Sequence, residues 1–179
     1  ENVRFRDKPV TFNIYSPTHE YVKSKTLAEY TDILKKFPDF ELKVEPGVLR
    51  EAQITGVLGG NALGKTTFIK MMAGIEKLDK GKISTVARIS YKPQYLSSNY
   101  NGTVKMLLDE SSSGDYETGD IESTLILPLG VQKLYEKEVS ELSGGELQKV
   151  AVLTCLMRDV DIYALDEPSA FIDIEDRIV

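Results

Sequence analysis

Hydrophobic and polar residues alternate along two short stretches of the chain, VTFNIYS from Val10 to Tyr15 and FELKV from Phe40 to Val44. A period of two puts the apolar side chains on one face, so both predict half-buried strands of the antiparallel kind. ITGVL at Ile54–Leu58 lacks that alternation and runs into glycines, the pattern of a strand buried on both faces that feeds a turn. KTTFIKMMAG follows with a helical pattern that Gly74 ends. ARISYKPQ at Ala87–Gln94 predicts a strand halted by its proline, and IYALDEP at Ile162–Pro168 a further buried strand with two carboxylates at its carboxyl end. The three buried strands together predict a parallel core.

Between residues 96 and 158 the pattern changes. TVKMLL and IESTLILPLGVQKLY predict helical segments, and the polar stretch DESSSGDYETGD at Asp109–Asp120 reads as a solvated loop between them. The expectation is a mostly helical subdomain inserted into an α/β core. No repeat and no coiled-coil heptad interrupts it.

Composition narrows the classes. A chain of 179 residues with 41% apolar and 28% charged residues is sized for one globular domain with a sizeable core. The net charge of -6, from 28 acidic and 22 basic residues, argues against a surface that tracks nucleic acid over a whole face, and leaves room for a local basic patch. No apolar run approaches the ~20 residues of a membrane helix, and ENVRFRDKPV lacks the apolar stretch of a signal peptide. The expectation is a soluble, cytoplasmic protein with no membrane partner. The single cysteine, Cys155, excludes an intrachain disulfide and a site needing several thiolates. Within LQKVAVLTCLMRD it reads as a buried, inert thiol, and the single histidine, His19 in SPTHEY, as a solvated loop residue.

Three motifs carry chemistry. Gly59, Gly64, Lys65 and Thr66 fit GxxxxGK[ST] between a predicted strand and a helix, the context that motif requires. A polyphosphate needs several N–H donors converging on it, and a glycine-rich turn entering a helix supplies them together with the helix dipole. Lys65 would face the β and γ phosphates and Thr66 would ligate Mg²⁺. Read blandly, the same residues are a glycine turn with a surface lysine. LDEP places Asp166 where it meets a metal opposite Thr66, and Glu167 where a carboxylate can orient and deprotonate an attacking water. An acidic pair after an apolar run is weak by itself and gains force downstream of a phosphate loop. LSGGELQ sets Ser143, Gly144 and Gly145 before a helix starting near Glu146, a second anion-binding helix start. Its plain reading is an N-cap by Ser143 with Glu146 completing a capping box, and the two readings are compatible.

GGNALGKTT, the glutamine of YKPQ, LSGGELQ, LDEP and SAFID stand in the order and approximate spacing of ATP-binding cassette domains, so the chain resembles that family over nearly its whole length. ENVRFRDKP, TTFIKMMAG, ISYKPQ, SGGELQKVA and DEPSAFID sharpen the resemblance to the second nucleotide-binding domain of the ribosome-recycling ABC ATPases, the ABCE subfamily or RNase L inhibitors.

The resemblance implies an α/β P-loop NTPase fold of the ATP-binding cassette type, with a parallel core sheet, an antiparallel β subdomain and an inserted helical subdomain. It divides residues 1–179 into a hinge and leading strand at 1–25, an α/β core at 26–95 and 159–179, and a helical subdomain at 96–158, with the carboxyl end of the domain missing. It implies ATP or ADP and Mg²⁺ held by Gly59, Gly60, Asn61, Ala62, Leu63, Gly64, Lys65, Thr66 and Thr67, with Tyr30 stacked on adenine unless it is a core tyrosine. Gln94 resembles the glutamine that senses metal and γ-phosphate, which makes Thr66, Gln94 and Asp166 the metal set and Glu167, Gln94 and Lys65 the catalytic set. Ser143, Gly144, Gly145 and Asp173 would serve a nucleotide shared with a second nucleotide-binding domain. Partners implied are that second domain, expected in the same parent chain, and the ribosome or its small subunit with translation factors.

The task implied is ATP hydrolysis with domain closure that splits ribosomes. The isolated fragment is expected to be weak or inactive. Two departures stand out: Ala62 replaces the glycine usual in the loop, and no histidine follows His19, so the family's switch histidine is absent from this sequence. A transporter motor domain shares all five motifs, and a non-hydrolysing ATP-binding module is the reading that Ala62 favours.

Overall fold

The computed structural model of the protein describes residues 24–94, 99–112 and 121–172. The strand predicted at Val10–Tyr15, His19, all but the last two residues of the predicted hinge segment 1–25, and Asp173 lie outside them, as does most of the polar stretch Asp109–Asp120.

The chain opens with four strands, β1 (Thr26–Tyr30), β2 (Ile33–Phe37), β3 (Phe40–Val44) and β4 (Gly47–Arg50). β2 and β3 form a two-stranded antiparallel hairpin closed by Pro38 and Asp39, with Phe37 paired to Phe40. Their rings stack at 6.3 Å, the cross-strand aromatic contact that fixes a hairpin's register. β1 is the middle of a second antiparallel sheet, flanked by β4 and by β5 (Ile83–Thr85). Of these strands only FELKV shows a clean alternation in the sequence. The others are four or five residues or fewer, so short that packing rather than pattern selects them.

Helix α1 (Lys65–Met72) begins at Gly64 and buries Met71 and Met72. Gly74, at φ 71°, stops it as the sequence predicts. Strands β6 (Ile89–Lys92) and β7 (Ile162–Leu165) pair in parallel, in the register Ile89↔Ile162 to Lys92↔Leu165. β6 ends before Pro93 because proline cannot donate to the ladder.

The predicted strand at Ile54–Leu58 does not form. Ile54 and Leu58 are almost fully exposed, and no described strand lies beside them. Extended backbone becomes a strand only when its N–H and C=O groups are paired, so apolar content alone does not make one. The parallel core therefore has two described strands, not three. β7 is half-buried, with Tyr163 on the outside, where burial on both faces was expected.

The helical region comprises α2 (Val104–Ser111), a π-helical turn at Glu122–Ile126 running into the short α3 (Leu127–Leu129), two 3₁₀ turns at Val131–Leu134 and Val139–Glu141, and α4 (Gly144–Leu156). Thr103 caps α2, accepting a hydrogen bond from the Met106 N–H. The stretch predicted as helical, IESTLILPLGVQKLY, is divided into short pieces because Pro128 has no N–H and its ring crowds the carbonyl four residues earlier. The turn before it widens to a π turn, and Gly130 at φ 66° ends α3. Val104, Leu108, Ile126, Val131, Val139, Val150 and Leu153 are almost fully buried together and form the hydrophobic core of this region.

Candidate nucleotide site

The phosphate loop is built from backbone conformations few residues adopt. Gly64, the N-cap of α1, is left-handed at φ 89° and has no room for a side chain, since an added Cβ would come within 3.0 Å of Leu42 and 3.1 Å of Phe40 on β3. The loop thus sets its last glycine close against the hairpin at the point where α1 begins. Ala62 also lies in the left-handed region, at φ 61°. A Cβ there costs about 1–2 kcal/mol relative to glycine, the strain expected from its place in the loop. Lys65 folds back over the loop and its Nζ donates to the carbonyls of Gly59 at 2.9 Å and Gly60 at 2.7 Å. Its ammonium is thereby held on the loop's own carbonyls, from which a bound phosphate would have to draw it.

Tyr30, at the end of β1, meets Phe68 of α1 edge to face at 5.5 Å. Opposite it, Gly47 supplies the space: a Cβ there would collide with the Tyr30 hydroxyl. Tyr30 is therefore tied by packing to the helix that the phosphate loop opens, and its ring stays partly exposed.

At the carboxyl end of β7 the two acids have different surroundings. Asp166 is buried, 3% exposed, and its Oδ2 has no hydrogen-bond partner. Leaving a buried carboxylate oxygen bare is costly unless a cation completes it. A hard divalent ion takes such oxygen donors, so Thr66, Gln94 and Asp166 fit Mg²⁺ by donor type. Glu167 is exposed and left-handed, φ 47°, and its Oε2 accepts a hydrogen bond from Gln94 Nε2 at 2.9 Å. The structure thus joins two predicted residues 73 positions apart. Among the described residues the phosphate loop makes no hydrogen bond to Gln94, Asp166 or Glu167. The two halves are left to be bridged by what they bind.

The helix start at LSGGELQ is the capping box the sequence predicts. Ser143 Oγ accepts from the Glu146 N–H at 3.3 Å, and Glu146 Oε2 accepts from the Ser143 N–H at 2.9 Å. α4 begins at Gly144, two residues before the expected Glu146, since the capping glutamate occupies the third helical position. Lys137 donates to Glu146 Oε1 at 2.8 Å. That bond, with the Ser143 N–H, holds the Glu146 carboxyl down at about 2. Gly145 has its own reason to be glycine: a Cβ would lie 2.9 Å from the Phe171 carbonyl oxygen.

Two residues of the site escaped the sequence reading. Lys92, 1% exposed, donates from Nζ to the carbonyls of Asp166 at 2.9 Å and Glu167 at 3.3 Å. Gln148, 0% exposed, donates from Nε2 to the carbonyls of Glu167 and Pro168, each at 2.9 Å. Burial pushes the Lys92 ammonium below its ordinary value, while Asp166, Cys155 and Glu167 pull it back up. The available signal was slight: Lys92 stands in the ISYKP strand between Tyr91 and Pro93, and Gln148 one residue after Leu147 but beside Lys149. A cavity of about 280 Å³ lies behind Lys92, between β6 and α4, and is lined by Leu147, Val150 and Cys155 but by no phosphate-loop residue.

A glycine loop opening a helix, an acidic pair at the end of a parallel strand and a capped glycine helix start beside it define a P-loop NTPase of the ATP-binding cassette type. The ABC transporter family model matches residues 44–170. An uncharacterized ABC transporter ATP-binding protein of Methanocaldococcus jannaschii is 44% identical over 180 residues, covering 99% of this chain and 30% of that protein. ABC transporter E family member 3 of Arabidopsis thaliana is 40% identical over 148 residues, 79% of this chain and 81% of that protein. Among solved structures, the archaeal ribosome recycling factor in complex with the archaeal ribosomal stalk protein matches with TM-score 0.86 and 43% identity, covering 99% of this chain and 34% of that one. The chain belongs to the ATP-binding cassette family, in its E branch. It spans about a third of the length of the longer relatives it matches. Among the described residues no helix is long and apolar enough to cross a membrane.

Proposed function

We propose that this chain is the second nucleotide-binding domain of a ribosome-recycling ATPase, binding Mg-ATP and hydrolysing it when closed against a partner domain. The observation that carries the reading is the Gln94–Glu167 hydrogen bond beside the bare, buried Asp166 Oδ2. Thr66, Gln94 and Asp166 would hold Mg²⁺, whose charge supplies Lewis-acid stabilisation of the phosphates. Lys65 and the N–H groups of Gly59–Thr67 would bind the polyphosphate, with Tyr30 against the base. Glu167 would orient the attacking water and take its proton at the carboxylate, and Gln94 would hold that carboxylate in place. Ser143, Gly144, Gly145 and Asp173 would face the nucleotide held by the partner domain.

The assignment to ribosome recycling is supported by the likeness to the archaeal recycling factor, and that to the second domain by the ENVRFRDKP run at the start of the chain. The test is Glu167→Gln in the full-length parent protein. ATP binding is expected to persist, turnover to stop, and the arrested protein to co-sediment with ribosomal subunits instead of membranes. Unchanged turnover would remove Glu167 from the reaction, and co-sedimentation with membranes would favour a transporter motor.

A non-hydrolysing module is the second reading, and left-handed Ala62 is the observation behind it. A single-turnover assay with bound ATP separates the two.

A further inference from the structure

Glu167 stands on a left-handed backbone, φ 47°, that a glutamate does not favour by itself. A conformation of that kind persists only where its surroundings over-determine it. Here two buried side chains converge on one carbonyl. The Glu167 oxygen accepts from Lys92 Nζ, which comes from β6, and from Gln148 Nε2, which comes from α4. The same two nitrogens also take the carbonyls on either side, Asp166 for Lys92 and Pro168 for Gln148. Three successive carbonyls are thus gripped from two elements.

Burying an ammonium or an amide is unfavourable unless it is hydrogen-bonded, and an apolar side chain would fill either space at less cost. Among the described residues neither nitrogen makes any other hydrogen bond, and Gln148 Oε1 is left buried and unpartnered. The polar ends of Lys92 and Gln148 therefore serve this one stretch of backbone.

We infer that Lys92 and Gln148 are positioning residues for Glu167, holding its peptide left-handed so that its carboxylate stays on Gln94. Gln148 lies on α4, the helix that Ser143 caps, so the same bond ties that helix to the Glu167 backbone. The inference rests on the ATPase reading proposed above for Glu167.

The test uses the full-length parent protein and compares Lys92→Met, Gln148→Met, Glu167→Gln and the two double variants. Each methionine variant is expected to lower kcat by about tenfold or more while KM for ATP stays within about twofold. On the Glu167→Gln background neither should lower the residual single-turnover rate further, because a residue acting through the carboxylate has nothing left to act on. A merely structural role would lower that residual rate as well. Unchanged kcat in both methionine variants, or an equal loss with and without Glu167, overturns the inference and leaves the ATPase reading intact. Unchanged turnover in Glu167→Gln alone overturns both. Where Gln148→Met does not fold by circular dichroism, Gln148→Glu keeps the shape, removes the donor and carries the same expectation.

Discussion

The two halves of the candidate site are held in opposite ways. On the carboxylate side, backbone and side chains are fixed from outside: Lys92 and Gln148 grip the Asp166–Pro168 carbonyls, Gln94 holds Glu167, and α4 is anchored through Val150 and Leu153 in the helical core. On the phosphate side the loop from Gly59 to Leu63 is exposed, and its only side-chain hydrogen bonds among the described residues come from its own Lys65. The first half is organised before anything binds, so its free-energy cost is met during folding. The second has no such outside support among the described residues, so a phosphate bound there would have to order it, at the expense of affinity.

The contrast can be broken by attacking each half. Asp166→Asn, which keeps the shape and removes a charge from the organised side, should lower Mg-dependent turnover of the full-length parent by about a thousandfold, near 4 kcal/mol, as read by steady-state ATPase assay. Leu153→Ala withdraws the packing beneath that side and should cost about 3 kcal/mol of stability, measured by urea unfolding. A loss under 1 kcal/mol would show that α4 is not the anchor described here. On the loop side, Ala62→Gly relieves the left-handed Cβ and should tighten ATP binding by up to about tenfold in calorimetry, roughly 1 kcal/mol. Equal affinities would show that the loop already tolerates the methyl.

The smallest effect tests the cap. Glu146 is held at about 2, below its ordinary 4.5, by Lys137 and the Ser143 N–H. A carboxyl with a lowered folded value stabilises above its ordinary value, and that contribution is lost as pH falls through the folded one. Glu146→Gln should cost about half a kcal/mol at neutral pH after solvent screening. In denaturant titrations the difference should shrink between about pH 4.5 and pH 2 and vanish below.

Much of this was legible from residues that carry their own local instructions. Gly64 and Lys65 announced a loop entering a helix, Gly74 its end, Pro93 the end of β6, and Ser143 with Glu146 a capping box, because each acts over three or four positions of chain. The left-handed Ala62 was also foreseeable, since the strain belongs to its place in the loop. What escaped notice depends on partners distant in sequence. Ile54–Leu58 has the composition of a buried strand, yet no described neighbour pairs with it. Lys92 and Gln148 read as ordinary polar residues until β6, α4 and the Asp166 turn are brought together. Pro128 was visible, but that the chain would answer it with a π turn was not.

The contact between Ser90 Oγ and Cys155 Sγ, 3.2 Å across the β6–α4 seam, gives the single thiol of this sequence a further use. Cys155 is 4% exposed, and burial raises its thiol above the ordinary value, so little reactive thiolate reaches solvent while the seam is shut. Were α4 to lift from β6, the seam that Lys92 and Gln148 span, the rate of Cys155 alkylation would count those openings. Cys155 would thus report on any opening of the organised half without an added label.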